Sequence, residues 1–119
     1  MKDAPLLDLT GKEPEAKNVL EKDIETAVCR YARDKYNMLA EKFTSPGRRS
    51  VPDRLFTTEH GVMFFIEFKA PGKEPTKNQA EDHDKRRNRD VRVFVIDNVQ
   101  EGKRLIDTMA TMRVRYASV

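Results

Sequence analysis

Apolar residues recur along this chain with two different periods. Between Lys22 and Tyr36, the residues Ile24, Ala27, Val28, Tyr31 and Ala32 stand at offsets 0, 3, 4, 7 and 8, one stripe down a helix. Asn37 tolerates the left-handed conformation that ends helices and marks the stop. Val62 to Lys69 instead reads Val-Met-Phe-Phe-Ile-Glu-Phe-Lys, dense in β-favouring residues, and predicts a strand. Two strands are expected before it, over Met38 to Thr44 and Val51 to Thr58, the second with Pro52 near its start where a missing N–H is tolerated. Ser45 to Ser50 is a loop broken at Pro46-Gly47, and Glu59-His60-Gly61 is a turn. Beyond Pro71, Gly72 and Pro75, Thr76 to Arg89 predicts a helix in which Thr76 and Gln79 have capping-box spacing. Val91 to Ile96 is nearly continuous in apolar character and predicts an interior strand. Asp97-Asn98 then caps a last helix with the stripe Leu105, Ile106, Met109 and Met112.

The predicted order is an αβββαβ core plus a C-terminal helix. Neighbouring early strands pair through hairpins, and the helix between the third and fourth strands is a crossover. The expectation is therefore an α/β fold, a mixed sheet flanked by helices. Residues 1–20 hold Pro5, Gly11 and Pro14 with little periodicity and read as an N-terminal arm. Residues 21–119 read as the domain.

Composition narrows the classes. The chain has 119 residues, 38% hydrophobic and 36% charged, and its mean hydropathy is −0.75. No apolar run approaches the ~20 residues of a spanning helix, and Met1 to Pro5 lacks a signal-peptide run. We expect an intracellular protein with no membrane partner and no small-molecule cofactor. A single cysteine, Cys29, excludes an intramolecular disulfide and a cysteine-based zinc cluster, and it reads as a small buried residue. The net charge of +3 permits a nucleic-acid partner without requiring one, so the placement of the charges matters more.

Strand alternation puts Phe64, Ile66 and Phe68 on one face and Phe65, Glu67 and Lys69 on the other. A carboxylate and an ammonium at the end of an apolar strand are costly unless paired or metal-bound. In a hairpin, Asp53 on the preceding strand comes close to Glu67. Two such carboxylates call for a cation, and oxygen donors select Mg²⁺ or Mn²⁺ over zinc. Such an ion lowers the pKa of a bound water, polarises a phosphoryl oxygen and steadies a leaving oxygen. Lys69 beside it orients the water or neutralises developing charge. Asp, then Glu-X-Lys after a hairpin, is a chemically sensible nuclease site.

Pro52-Asp53 followed by Glu67-Phe68-Lys69 resembles the PD-(D/E)XK nuclease superfamily. The longer strings Phe43 to Arg54 (Phe-Thr-Ser-Pro-Gly-Arg-Arg-Ser-Val-Pro-Asp-Arg) and Phe65 to Lys73 (Phe-Ile-Glu-Phe-Lys-Ala-Pro-Gly-Lys) are similar to one branch of it, the VRR-NUC domain, over about Glu21 to Asp97. The resemblance implies a restriction-endonuclease-like fold and metal ligation by Asp53, Glu67 and the backbone carbonyl of Phe68, with Lys69 catalytic. It implies a role for Glu25 on the first helix, reaching the metal through water, and for Gln79 in a Gln79…His83 pattern. It further implies a metal-dependent DNA endonuclease of the stand-alone phage or bacterial type, a homodimer cutting branched DNA of Holliday-junction or flap form, as in DNA repair. Asn37 stands where the family often has Gly.

Plainer readings stand beside these. Asp53 also suits a turn cap, and Glu67 with Lys69 an ion pair on an edge strand. Glu21 competes with Glu25 from one turn earlier, and Gln79 serves equally as half of a capping box. Arg48, Arg49 and Arg54 bracket Asp53, where a scissile phosphate needs positive charge. They, with Lys73, Lys77 and His83, are the candidate DNA contacts, although a solubility loop, or for His83 a solvated helix position, fits as well. Lys85, Arg86, Arg87, Arg89 and Arg92 form a basic run that reads as a solvated face or a DNA contact. The rival functions are a DNA-binding subunit without activity and an RNA nuclease.

Overall fold

Four strands form one sheet in the order β1-β2-β3-β4. The computed structural model describes residues 19–114; the arm expected over residues 1–20 falls almost wholly outside them. In chain order the elements are α1 (Glu21–Tyr36), β1 (Leu39–Lys42), β2 (Arg54–Thr57), β3 (Met63–Phe68), α2 (Lys77–Arg87), β4 (Val93–Ile96) and α3 (Val99–Ala110). β1, β2 and β3 run antiparallel in sequence, and β4 lies parallel to β3 after the α2 crossover. This is the expected mixed sheet between helices. The strands are shorter than predicted. Val51, Pro52 and Asp53 precede β2 rather than opening it.

The α1 stripe is buried through Ile24, Val28 and Ala32. Asn37 closes the helix in the left-handed region at φ 52° and ψ 38° and donates its backbone N–H to the Arg33 carbonyl. Asn is the non-glycine residue best suited to that geometry, which accounts for its presence where Gly is common. α1 and α3 cover the face bearing Phe56, Phe64, Ile66 and Phe68, all fully buried. At Gly102, α3 lies directly against Val28 of α1. A Cβ there would run into Val28 Cγ2 and sit 3.3 Å from Ile96 Cγ2.

α2 covers the opposite face, and its chemistry is unusual. Its sequence, KNQAEDHDKRR, contains one apolar residue, Ala80, which is exposed. The buried positions are Asp82 and His83, with Gln79 and Arg86 half-buried. Offsets of 0, 3, 4 and 7 make one helical stripe, and here the stripe turned to the sheet is polar. Such a face must be satisfied by hydrogen bonds and ion pairs rather than by apolar contact, and those bonds build the site. The guanidinium of Arg86 lies 5.3 Å and 5.2 Å from the ring centres of Phe43 and Phe65, which meet edge to face at 4.9 Å. Phe65 is thereby covered, so both aromatic faces of β3 are interior. Among the described residues, no helix is long and apolar enough to cross a membrane.

Candidate active site

The β2–β3 register pairs Arg54 with Ile66, so one step further Asp53 comes opposite Glu67. Asp53 Oδ2 accepts the backbone N–H of Phe68 at 2.8 Å. That bond turns the carboxylate toward the end of β3, where Glu67 and Lys69 stand on the same face. Burial pushes the Asp53 carboxyl above its usual range, against the Phe68 N–H, and the charges of Glu25 and Glu21 push in the same direction as burial.

Glu67 is 2% exposed. Its Oε2 accepts Gln79 Nε2 at 3.0 Å and lies 3.5 Å from Lys69 Nζ. Lys69 Nζ in turn donates to Gln79 Oε1 at 2.7 Å. Gln79 Oε1 also accepts the Thr76 N–H at 2.9 Å, while Thr76 Oγ1 accepts the Gln79 N–H at 3.2 Å. The capping box and the site role of Gln79 are therefore one arrangement. The box fixes the amide at the start of α2, and the amide links the ammonium to the carboxylate. Burial first, and then the Asp53 charge, push Glu67 up to about 7 despite Lys69.

Glu67 Oε1 is buried without a hydrogen-bond partner. An unpartnered carboxylate oxygen beside a second carboxylate is an electrostatic deficit that a cation removes. The donors are hard oxygens, which suits Mg²⁺ or Mn²⁺. Among the described residues no three His, Cys, Asp or Glu side chains are grouped closely enough to hold an ion by themselves. An ion on Asp53 and Glu67 would complete its shell from backbone or water oxygens. The residues fit the group on those terms.

A cleft of about 370 Å³ opens beside Asp53, lined by Glu25, Phe43, Arg48, Arg49 and Pro52 among others. Glu25 reaches it from α1, and its Oε2 accepts Arg54 Nε at 2.6 Å; Arg54 Nη1 also donates to the Ala40 carbonyl at 3.1 Å. Arg54, expected at a phosphate, is thus engaged with Glu25 and only 18% exposed. Arg48 is engaged too. It pairs with Asp82, which is 2% exposed and also accepts Arg86 Nε at 2.8 Å. Burial raises the Asp82 carboxyl, but Arg86 and Arg48 outweigh it and hold it below the usual range. Arg49, Lys73 and Lys77 are exposed.

His83 departs furthest from expectation. It is 1% exposed, so it is neither a solvated helix residue nor open to a phosphate at the surface. Its place in the polar stripe of α2 turns it inward. Burial pushes its imidazole below the ordinary value.

Asp82 belongs to no apolar stripe, so hydrophobic periodicity does not reveal it. The signal that would have found it is the helical spacing of Gln79, Asp82, His83 and Arg86. Of the Asp97-Asn98 pair expected to cap α3, Asn98 is the cap, accepting the Glu101 N–H at 2.8 Å, while Asp97 accepts the Gly72 N–H at 3.0 Å. Gly72 sits at φ 79°, a conformation favoured by glycine, and the bond ties the turn after Lys69 to the end of β4.

No family model matches the chain. A solved structure described as a VRR-NUC domain is similar to it with a TM-score of 0.61 and 30% identity, covering 71% of this chain and 95% of that one. Protein p44 of Acyrthosiphon pisum secondary endosymbiont phage 1, named as a proposed nuclease, is 53% identical over 45 residues. That match takes in 38% of this chain and 48% of the phage protein, so the chain matches about half the length of this curated relative.

Proposed function

We propose that this chain, which belongs to the VRR-NUC domain family, is a divalent-metal-dependent DNA endonuclease. The observation that carries the reading is the buried Glu67 set opposite a second carboxylate, Asp53, with its carboxyl pushed up to about 7 by burial and by Asp53. A fold gains no stability from crowding carboxylates in its interior, whereas a metal site requires it.

Asp53 and Glu67 would hold Mg²⁺ or Mn²⁺, with the Phe68 carbonyl and, through water, Glu25 as further ligands. When bound, the ion supplies Lewis-acid activation of water and of the phosphoryl oxygen. Lys69 offers an N–H to the attacking water or to a phosphate oxygen and carries positive charge to where negative charge develops. Gln79 keeps Lys69 and Glu67 in register through its two amide atoms. Arg54 holds Glu25, and Arg49 with Lys73 and Lys77 supplies exposed positive charge for the DNA backbone.

The finer parts of the proposal are a homodimer and a preference for branched DNA, of four-way-junction or flap form. Both aromatic faces of β3 are interior, so the dimer rests on the family resemblance alone. The test is cleavage of a labelled four-way junction, a 5′ flap, plain duplex and single strand, in Mn²⁺, Mg²⁺ or EDTA. Metal-dependent cutting by the wild type, lost in Lys69→Ala, is expected. Full cleavage by the purified mutant overturns the assignment, and equal cutting of plain duplex overturns the branched preference. Light scattering at micromolar concentration reads the dimer.

A further inference from the structure

We propose that His83 is a positioning residue for Glu67, holding the oxygen that Gln79 leaves free. The inference rests on the reading of Glu67 as a metal ligand and assigns a second anchor to it.

His83 Nε2 lies 3.8 Å from Glu67 Oε1. Both atoms are buried, and neither has a hydrogen-bond partner. Two orphaned polar atoms facing each other in an interior are costly unless they satisfy one another. A bridging water does not fit, since bonding to both atoms at ordinary lengths would bend its angle to about a right angle. A direct bond needs the atoms to close by about 0.8 Å to reach an ordinary N–H···O length, which small side-chain rotations provide.

The placement gives the contact its purpose. Gln79 and His83 stand one turn apart on the same face of α2. Gln79 Nε2 and Lys69 Nζ both serve Oε2 of Glu67. A carboxylate held at one oxygen still swings about its terminal torsion, and a donor on the other oxygen fixes its plane. A metal ligand held in that way binds its ion without first losing rotational freedom, which is how outer hydrogen bonds tune metal affinity. The buried ring is closed to a DNA phosphate, so its service is to the carboxylate.

The experiment compares the full-length wild type with His83→Leu and His83→Gln, a glutamine amide nitrogen reaching the position of Nε2. Mn²⁺ affinity is read by calorimetry without DNA, and melting temperature is read alongside. His83→Leu is expected to bind Mn²⁺ about tenfold more weakly, and His83→Gln to recover to within about threefold. Wild-type affinity in a folded His83→Leu overturns the proposal, as does a His83→Gln as weak as the leucine variant. Long-range ¹H–¹⁵N NMR of the wild-type ring at pH 8.5, where the Glu67 carboxyl is ionised, needs no variant. A proton on Nε2 is expected there, and a bare Nε2 overturns the proposal. If the wild type binds Mn²⁺ but cuts no DNA, the nuclease reading fails while the calorimetry still decides His83. If it binds no Mn²⁺, both fail.

Discussion

The Asp53 carboxylate accepts the Phe68 backbone N–H at 2.8 Å, so β3 supplies both the companion carboxylate and the bond that aims Asp53 toward it. Asp53→Asn preserves the size of the side chain and removes its charge. Cleavage is expected to fall by about a hundredfold or more. Thermal stability should hold or rise, because the repulsion with Glu67 is relieved, and the Glu67 carboxyl should fall toward its ordinary range. A melting curve and a carboxyl titration by NMR read both effects. A large loss of stability would mean that Asp53 is a structural cap.

The position of Glu67 near 7 makes stability and metal binding respond oppositely to pH. The folded state holds this proton more tightly than the unfolded chain does. The resulting stability is fully present below the ordinary glutamate pKa of about 4.5 and is lost as pH rises through about 7, on the order of 3 kcal/mol. A divalent ion needs the carboxylate deprotonated, so the rise in melting temperature on adding Mn²⁺ should grow from pH 5.5 to pH 8. Cleavage should climb across the same interval. Glu67→Gln should flatten the metal-free profile there. An unchanged profile in that variant would place the transition on another group.

Much of this was legible in the chain. Apolar periodicity placed α1, β3 and α3 to within a few residues, because their interior faces are apolar. The Asp53, Glu67 and Lys69 set was legible because strand alternation fixes a face and hairpin pairing fixes a neighbour. What the chain hides is the pairing of its polar residues: Arg54 and His83 are turned inward, and half-exposed Arg48 is tied to a buried carboxylate. All three read as surface contacts because an arginine or histidine in a loop or on a charged helix is usually solvated. Their partners Asp82, Glu25 and Glu67 lie 34, 29 and 16 positions away, and no local pattern specifies such pairings. α2 shows why most sharply, since a stripe of polar residues at helical spacing reads as a solvated face until the sheet beneath it is known.

Arg54 separates two roles that a basic residue near a nuclease site can have. Nε holds Glu25 and Nη1 holds the Ala40 carbonyl, a fork that lysine does not reproduce. Arg54→Lys is therefore expected to lower kcat about tenfold with little change in KM for DNA. A phosphate contact predicts the reverse, a raised KM and a reduced dependence of binding on salt. Comparing the two constants at several salt concentrations decides between them.

Asp82 tests whether the basic loop is held in place by α2. Its carboxylate is the buried end of pairs with Arg48 and Arg86, and Arg86 spans Phe43 and Phe65. Asp82→Ala leaves two guanidinium groups without their common partner and frees the loop from Ser45 to Ser50. Arg48 is itself about half exposed, so solvent offsets part of the loss, and the expected destabilisation is about 1–3 kcal/mol. Because Asp82 is held below the usual carboxylate range, its contribution is present above that range and disappears as pH falls through the lowered value. Urea titration at pH 7 and at pH 3 measures both effects, and the gap between variant and wild type should shrink at the lower pH. Asp82→Asn should keep part of the hydrogen bonding and fall between the two. An Asp82→Ala protein as stable as the wild type at pH 7 would show the loop to be anchored through its own turn, Arg48 N–H to the Ser45 carbonyl at 3.0 Å, and not through α2.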